Sequence, residues 1–228
     1  MSRFAFADDV RAVLFDAGNT LLWIDHERIA ELLTGAGLPC DETAVRIAEM
    51  RARPRLDPYV RTATRRESVE TIGRYVDEIL AGLGAAAPAG ARSAIIDAWR
   101  TLWVRPPADA HATLEALSRR GFRLGVVSNS NGTVRSLLET ADLAGSLECV
   151  VDSGLVGLEK PDPRIFALAA ELLALAPREC VYLGDFLSLD VAGARAAGMH
   201  AVLIDPIGAW GDVDAPCVTS LTEFAARL

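Results

Sequence analysis

The order of hydrophobic and polar residues near the start of the chain predicts a buried β-strand. Residues 10–15 read Val-Arg-Ala-Val-Leu-Phe, and the run ends abruptly at Asp16, which the turn-forming residues Gly18 and Asn19 follow closely. A short apolar run bounded by turn formers is typical of a strand inside a sheet. We therefore expect a strand whose carboxyl end opens into a loop at Asp16.

Residues 22–105 show a different pattern, in which apolar side chains recur at helical spacing and no convincing strand is seen. The clearest stripe joins Val69, Ile72, Val76, Ile79, Leu80 and Leu83. Three further helices are expected: one capped by Asp25, one from 42 to 51 that ends before Pro54, and one after Pro88. Amphipathic helices in one block predict a small all-helical bundle.

The pattern alternates after Pro106 and Pro107. Apolar runs typical of buried strands occur at 121–128, 148–152, 180–185 and 200–205, and helical segments separate them. Such alternation predicts βαβ units and a parallel sheet with helices on both faces. The expected fold is therefore α/β, a doubly wound, Rossmann-like parallel sheet built from residues 1–21 and 106–228, with an all-helical insertion at residues 22–105.

Composition excludes several classes of function. The chain has 228 residues, 51% of them hydrophobic, and a formal net charge of −8, whereas nucleic-acid backbones are bound by basic faces. No apolar run approaches the roughly 20 residues that cross a bilayer, and the first residues lack the apolar stretch of a secretory signal. The cysteines are scattered without a CxxC pair. We expect a cytoplasmic monomer or homodimer with neither nucleic-acid nor membrane partners.

Polar residues stand where the predicted strands and their loops end. They are Asp16, Ser128, Asn129, Lys160, Asp185 and Asp190. Taken singly, such residues are equally typical of turns, helix caps or solvated loops. Ligands of doubly wound sheets, however, bind outside the carboxyl ends of the strands, where these side chains are expected to meet. Carboxylates, a lysine and hydroxyl and amide donors together suit a phosphoryl group and a divalent cation.

The order of these residues resembles the motifs of the haloacid dehalogenase (HAD) superfamily in its C1-capped form. Residues 14–21 (Leu-Phe-Asp-Ala-Gly-Asn-Thr-Leu) match an apolar strand followed by D-x-D-x-T, except for the glycine. Residues 126–129 match a strand ending in serine or threonine, 160–163 match a K-P-D-P loop, and 184–190 match G-D-x-x-x-x-D. The resemblance covers essentially the whole chain and implies that the insertion is a C1-type cap.

The resemblance implies a Mg²⁺-dependent phosphatase-type hydrolase that acts on a small phosphorylated metabolite. Asp16 would be the nucleophile that forms an aspartyl-phosphate, and Lys160 would offset negative charge beside it. Mg²⁺ would be held by Asp16, the main-chain carbonyl of Gly18, and Asp185. Asp190 would hold Asp185 or Lys160 in place. The residues expected to bind substrate are Thr20, Ser128, Asn129 and Lys160.

Gly18 departs from the family pattern. Phosphatases of this superfamily have a second aspartate here, which protonates the leaving alcohol and then deprotonates the attacking water. A positioned acid/base of this kind is worth about 10²–10⁴-fold in rate. Three interpretations remain open. A residue of the insertion, such as Asp25, His26 or Glu27, supplies the proton; the substrate has a good leaving group, such as an acyl phosphate or an activated ester; or the protein is a pseudo-phosphatase that binds a phosphorylated ligand or partner without turnover.

Two other chemistries fit less well. Haloacid dehalogenation would call for a bulkier aromatic residue at position 18 and would need no metal. A receiver-like phosphoacceptor domain also uses an aspartate, a lysine and Mg²⁺, but the helical insertion and the position of Asp16 on the first strand disfavour it.

Several residues of the insertion have two interpretations. Trp23 either lines a pocket or packs at the hinge. His26 is expected to be an exposed helix residue with no catalytic role. The arginine-rich stretch 51–66 would form solvated helix faces and a loop, although one of its arginines could reach an anionic substrate.

Overall fold

The structure is a computed structural model that describes residues 2–63, 68–84, 88 and 90–228. The strands are β1 (Ala12–Phe15), β2 (Trp23–Ile24), β3 (Trp103–Arg105), β4 (Arg123–Ser128), β5 (Cys149–Asp152), β6 (Cys180–Gly184), β7 (His200–Ile204) and β8 (Cys217–Val218). The α-helices are α1 (His26–Gly35), α2 (Glu42–Thr62), α3 (Val69–Gly82), α4 (Ala91–Ala98), α5 (Ala110–Arg119), α6 (Val134–Thr140), α7 (Ser153–Val156), α8 (Pro163–Leu172), α9 (Ala192–Ala196) and α10 (Leu221–Arg227). Within the described ranges, no helix combines the length and the apolar character that crossing a membrane requires.

Six strands form one parallel sheet in the order β5-β4-β1-β6-β7-β8. β1 lies inside the sheet, where Leu14 pairs in register with Gly125 of β4 and with Tyr182 of β6. From β1 the chain adds β4 and β5 on one side and then β6, β7 and β8 on the other, so the direction in which strands are added reverses beside β1. Doubly wound sheets bind their ligands at such a reversal, outside the carboxyl ends of the strands. The predicted α/β fold with a parallel sheet is confirmed.

Helices cover both faces of the sheet. On one face, Val13 and Phe15 of β1 pack in a cluster with Leu114 of α5 and Phe224 of α10. On the other face, Leu14 packs in a cluster with Phe166 of α8. A strand buried on both faces has apolar side chains pointing each way, which explains the continuous apolar run that precedes Asp16.

The helices α1 to α4 lie between β2 and β3 and pack around a hydrophobic cluster of their own. Ile29, Val45, Val76 and Ile95 supply one buried side chain from each helix. Leu189, which follows β6, belongs to the same cluster. The helical insertion is therefore packed directly against the carboxyl edge of the sheet.

The second helix of the insertion is longer than the sequence pattern predicts. The expected end before Pro54 is wrong, because α2 continues to Thr62 and contains both Pro54 and Pro58. A proline inside a helix removes one backbone hydrogen bond and costs about 3 kcal/mol. The second half of α2, however, buries Leu56 and Val60 in the cluster of the insertion. Tertiary packing therefore overrides the local cost of the prolines.

The insertion is not all-helical, which corrects the prediction. β2 and β3 form an antiparallel ribbon in which Trp23 lies opposite Arg105 and Ile24 lies opposite Trp103. Strands of two and three residues are too short to show the alternation by which a strand is recognised in a sequence. The ribbon ties together the two ends of the insertion and brings Trp103 next to the loop after β1.

Candidate active site

The carboxyl ends of three neighbouring strands bring the predicted polar residues together. Asp16 directly follows β1, Ser128 is the last residue of β4, and Asp185 directly follows β6. Lys160 comes from the loop that precedes α8. All four residues are buried and line the same cavity. The parallel sheet thus brings together, at one edge, residues as far apart in the chain as Asp16 and Asp185, which are separated by 169 positions.

Lys160 is the centre of the hydrogen-bond network. Its side chain is only 3% exposed, and Nζ donates to Asp16 Oδ1 at 2.7 Å, to Asp190 Oδ1 at 2.7 Å and to the Tyr182 hydroxyl at 3.1 Å. Burial alone would lower the pKa of Lys160, but the two carboxylates outweigh it and raise that pKa above its usual value. The ammonium group is therefore a fixed positive charge beside Asp16.

The carboxylates of Asp16 and Asp185 are crowded in a buried space. Burial raises the pKa of Asp16 to about 6, although Lys160 acts to lower it. Burial also raises the pKa of Asp185, with Arg53 opposing the shift and Asp16 adding to it. Both shifts come first from burial, and the neighbouring carboxylates add to them.

Asp190 joins the strand end to Lys160. Its Oδ1 accepts the hydrogen bond from Lys160, while Oδ2 accepts from the backbone N–H groups of Asp185 at 3.1 Å and Phe186 at 2.9 Å. A π-helical turn at Leu187–Val191 brings this side chain back under the strand. A Cβ atom at Gly184 would collide with Cγ of Asp190, so the close approach requires glycine there.

Asn129 holds the lysine loop, and its contact with substrate stays a prediction. Its Nδ2 donates to the carbonyl of Lys160 at 3.1 Å, and its Oδ1 accepts from the backbone N–H of Lys160 at 2.7 Å. Both ends of the amide group are thus engaged with the backbone. Asn129 borders the cavity, but its side chain positions Lys160. Ser128 also borders the cavity, and its hydroxyl makes only a long 3.4 Å hydrogen bond to the Asn129 carbonyl.

The structure does not support the predicted contact between Thr20 and substrate. Thr20 is 0% exposed and is not part of the cavity lining, and its hydroxyl has no hydrogen-bond partner among the described residues. The turn after β1 accounts for this position, since the N–H groups of Leu21 and Leu22 both donate to the carbonyl of Ala17 and fold the chain inward. Thr20 therefore lies beneath the loop.

The donor set fits a divalent cation. One carboxylate oxygen from each of Asp16, Asp185 and Asp190 lies within 4.8 Å of the others. Asp16 binds Lys160 through Oδ1 and Asp185 binds Asn19 through Oδ2, so the other oxygen of each carboxylate can take a ligand. Mg²⁺ prefers such oxygen ligands. The buried carboxylate, guanidinium and ammonium groups of this site and its surroundings have a net charge of −2 when all are ionised. They belong to Asp16, Glu49, Asp185, Asp190, Arg53 and Lys160.

A second polar network, which the sequence pattern does not predict, reaches the site from α2. Arg53 is only 2% exposed and binds Glu49 twice, through Nε at 2.8 Å and Nη2 at 2.7 Å. Its Nε also lies 3.6 Å from Asp185 Oδ2. Burial would raise the pKa of Glu49, but Arg53 outweighs it and lowers that pKa to about 2. The insertion thus contributes a buried ion pair to the edge of the sheet.

Asn19 and Tyr75 complete this network. Asn19 Nδ2 donates to Asp185 Oδ2 at 3.1 Å and to the Tyr75 hydroxyl at 3.0 Å. The Tyr75 hydroxyl in turn donates to Glu49 Oε1. The loop after β1, the end of β6 and the helices α2 and α3 are therefore linked by one chain of buried hydrogen bonds.

The sequence does contain a signal for this network, but the signal is ambiguous. Glu49 and Arg53 are four residues apart, and they lie on the helical stripe that contains Val45, Leu56 and Val60. Charges at that spacing are usually a solvated pair, and the sequence pattern places the end of the helix before Pro54. Arg53, which belongs to the arginine-rich stretch 51–66, thus reaches the site, but it binds the carboxylates of Glu49 and Asp185. Residues 64–66 of that stretch lie outside the described part of the chain.

The residues of the insertion that could supply a proton in place of an acid at position 18 lie outside the cavity lining. His26 is buried, which corrects the expectation of an exposed residue, and its Nε2 lies 3.4 Å from Glu49 Oε2. Asp25 caps α1, and both Asp25 and Glu27 pair with Arg105 at 3.1 Å. Asp25, His26 and Glu27 are not part of the cavity lining. Trp23 is also outside that lining and packs edge-on against His26, as the hinge interpretation predicts.

The indole of Trp103 packs tightly against Gly18. A Cβ atom built on Gly18 would lie 3.2 Å from Cζ3 of the indole, which is a tight contact. The indole would have to shift by a few tenths of an ångström to admit a side chain at position 18. Glycine therefore allows the close packing of Trp103 against the loop after β1.

The cavity above the site has a volume of about 350 Å³. Its floor is formed by the polar residues at the strand ends, while its walls are largely apolar. The wall residues from the insertion are Leu22, Leu56, Val60, Thr71, Ile72, Tyr75, Trp99, Arg100 and Trp103. The volume lies within the range of about 300–1,000 Å³ that is usual for pockets that bind small molecules.

Comparisons with known proteins agree with the fold and identify the family. A family model for haloacid dehalogenase-like hydrolases matches residues 10–198. A protein of Mycobacterium tuberculosis named as a phosphatase is 31% identical over 203 residues, which cover 87% of this chain and 89% of that protein. A glyceraldehyde 3-phosphate phosphatase of Methanopyrus kandleri is 30% identical over 207 residues, or 86% and 84% of the two chains.

A solved structure shows the same fold at lower sequence identity. The crystal structure of a dehalogenase with an intermediate complex is 23% identical and has a TM-score of 0.67, over 96% of this chain and 97% of that chain. At this identity the likeness extends to the fold alone. The motifs, the sheet topology and the family match together confirm the superfamily that the sequence predicted, and the chain belongs to the haloacid dehalogenase-like hydrolases.

Proposed function

We propose that the protein is a Mg²⁺-dependent phosphatase that acts on a small phosphorylated molecule through an aspartyl-phosphate on Asp16. The observation that carries this proposal is the position of Lys160, which lies between Asp16 and Asp190 at 2.7 Å from each, with Asp185 beside them. The two relatives described above that match most of the chain are both named phosphatases. In this proposal the helical insertion is a C1-type cap that covers the cavity.

The acidic residues favour phosphoryl transfer over dehalogenation. Asp16, Asp185 and Asp190 converge on one point, and burial raises the pKa of the first two. Such a cluster suits a divalent cation, which a dehalogenase would not need. Position 18, where dehalogenation would call for a bulky aromatic side chain, is glycine. Mg²⁺, when bound, supplies positive charge that reduces the repulsion between a carboxylate and a phosphate dianion.

The residues of the chain have distinct roles in this mechanism. The carboxylate of Asp16 attacks phosphorus, the bond from phosphorus to the leaving oxygen breaks, and water then attacks the aspartyl-phosphate to release inorganic phosphate and restore the carboxylate. Lys160 keeps Asp16 oriented and offsets charge on the phosphoryl oxygens. The hydroxyl of Ser128 is placed to bind one of those oxygens. Asn129 and Asp190 hold Lys160 at its backbone and at its side chain.

A pseudo-phosphatase is the second candidate function. The observation that favours it is the glycine at position 18, which Trp103 packs against tightly and which cannot act as the acid/base that phosphatases of this superfamily have. Such a protein would bind a phosphorylated ligand or partner at Lys160 and Ser128 without turning it over.

Hydrolysis of p-nitrophenyl phosphate separates the two functions. We expect phosphate release that needs Mg²⁺ and falls by at least about 10³-fold in Asp16→Asn, since a nucleophile that acts as part of a unit contributes at least this much. Asp8→Asn is the matched control, because that carboxylate is 88% exposed. An unchanged rate in Asp16→Asn would contradict the mechanism. Binding of phosphate with no turnover in the wild type would instead favour the pseudo-phosphatase.

A further inference from the structure

The environment of Gly18 determines how the leaving group of a substrate must depart. Position 18, where the superfamily's acid would stand, is glycine, and Cζ3 of Trp103 lies 3.2 Å from where a Cβ atom would be. Among the described residues that line the cavity, the carboxyl groups are those of Asp16, Asp185 and Asp190. The first is the proposed nucleophile, and Asp190 accepts hydrogen bonds at both oxygens. Asp185 faces the proposed cation site.

The remaining hydroxyl, amino and guanidinium groups of the lining are weak acids and therefore poor proton donors; they belong to Thr71, Tyr75, Arg100, Ser128, Ser130, Thr133 and Lys160. Lys160 donates three hydrogen bonds to buried acceptors, which keep its proton in place. The Tyr75 hydroxyl already donates to Glu49, and burial raises its pKa well above the ordinary value. The leaving oxygen therefore departs as an anion. A phenolate departs readily in this way because it is a weak base, whereas an alkoxide does not.

The walls of the cavity select the rest of the substrate. Trp99 and Trp103 lie edge to face with ring centroids 5.6 Å apart, and Tyr75 lies in the same way 5.5 Å from Trp99. Leu56 and Ile72 continue this apolar wall. Aromatic side chains in such a pocket favour a flat, apolar group by stacking and by excluding water.

We propose that the substrates are phosphate monoesters of phenol-like alcohols, in which an aromatic ring is seated against Trp99 and Trp103 and the ester oxygen leaves without being protonated. This inference rests on the proposed phosphatase function. In the reaction Asp16 takes the phosphoryl group, the phosphorus–oxygen bond breaks, and its electron pair stays on the phenolate. Water later supplies the oxygen of the released phosphate and loses its proton to solvent.

Phenyl phosphate and benzyl phosphate provide a matched test. Both carry one aromatic ring, but benzyl phosphate must release a strongly basic alkoxide. With the wild-type protein and Mg²⁺ we expect kcat/KM for phenyl phosphate to exceed that for benzyl phosphate by at least about 100-fold, the lower end of what a general acid contributes. A smaller ratio would overturn the inference, because it would show that the leaving oxygen is protonated.

Acetyl phosphate tests the apolar wall separately, since it has a weakly basic leaving group but no ring. We expect its KM to be at least about tenfold above that of phenyl phosphate, the effect of one lost apolar contact group. Equal KM values would overturn the assignment of the wall to an aromatic ring.

The proposed function and this inference fail in different ways. If benzyl and phenyl phosphate are hydrolysed at similar rates and both activities are lost in Asp16→Asn, the phosphatase function stands and the inference is wrong. If none of the esters, p-nitrophenyl phosphate included, is hydrolysed, both are wrong.

Discussion

At the residue scale, Gly18 and Trp103 are in tight contact two residues after the proposed nucleophile Asp16. The 3.2 Å approach of the indole to a Cβ at position 18 means that the two positions depend on each other. Restoring the aspartate alone places a longer side chain against the ring. Restoring it together with a smaller residue at position 103 gives the carboxylate room to face the leaving oxygen.

We predict that Gly18→Asp alone raises hydrolysis of benzyl phosphate by less than about tenfold, whereas Gly18→Asp with Trp103→Ala raises it by about 10² or more, the usual contribution of a positioned acid. The matched control is Trp103→Ala alone, which provides space but no acid and should give no gain. Steady-state kcat/KM measures all three variants. A full gain from Gly18→Asp alone would contradict the steric argument.

At the element scale, α2 connects the insertion to the edge of the sheet through a buried ion pair. Arg53 is buried between Glu49 and Asp185. Removing one partner of a buried ion pair leaves an unpaired buried charge and costs about 3–5 kcal/mol, whereas removing both charges is often nearly neutral. Arg55, two residues along the same helix, is 43% exposed and pairs with Glu78 at 2.6 Å. The helix thus offers a buried and an exposed ion pair for comparison.

We predict that Arg53→Met lowers the free energy of unfolding by about 3–5 kcal/mol and that adding Glu49→Gln restores a large part of it. Arg55→Met should change it by less than about 1 kcal/mol, because exposed pairs contribute little. Urea unfolding followed by circular dichroism measures these differences. Equal effects of Arg53→Met and Arg55→Met would contradict the buried network.

The lowered pKa of Glu49 predicts a dependence of stability on pH. The ordinary pKa of this carboxyl group is 4.5, and its pKa in the folded protein is about 2. Its ionised form therefore stabilises the fold above pH 4.5, and this contribution is lost as the pH falls toward 2. The free energy of unfolding of the wild type minus that of Glu49→Gln should shrink between about pH 5 and pH 3. A difference that stays constant or grows over this interval would show that Glu49 is not held ionised.

The elements also show what the sequence could and could not predict. Asp16, Ser128 and Asp185 can be found from the sequence because parallel strands put their carboxyl ends at one edge, a rule that needs only the strand pattern. Arg53 was missed because a proline is expected to end its helix, and the packing of Leu56 and Val60 that overrides the proline is a tertiary effect. Thr20 was assigned to substrate from its motif, and only the fold of the turn shows that it is buried.

At the scale of the whole molecule, the sheet and the insertion meet around a buried cluster in which the carboxylates outnumber the cations Arg53 and Lys160. Its carboxylates come from the residues directly after β1 and β6, from α2 and from the π-helical turn after β6. A divalent cation bound there would hold the strand ends together. Any ligand that binds the folded state and not the unfolded chain stabilises the protein.

We predict that Mg²⁺ at about 100 times its dissociation constant stabilises the protein by about 2.7 kcal/mol, which raises the melting temperature by about 5–10 °C for a chain of this size. Asp185→Asn should abolish the shift, and Asp214→Asn, whose carboxylate is fully exposed, should leave it intact. Differential scanning calorimetry measures the shift without any substrate. A shift that persists in Asp185→Asn would place the cation elsewhere.

The most direct test of the proposed function is to locate the covalent intermediate. Wild-type protein with Mg²⁺ is mixed with p-nitrophenyl phosphate, quenched in acid during turnover, digested and analysed by mass spectrometry. We expect the added mass of one phosphoryl group on Asp16, and none when Mg²⁺ is left out or in Asp16→Asn. Turnover without phosphorylation of Asp16, or with the phosphoryl group on another residue, would contradict the proposal.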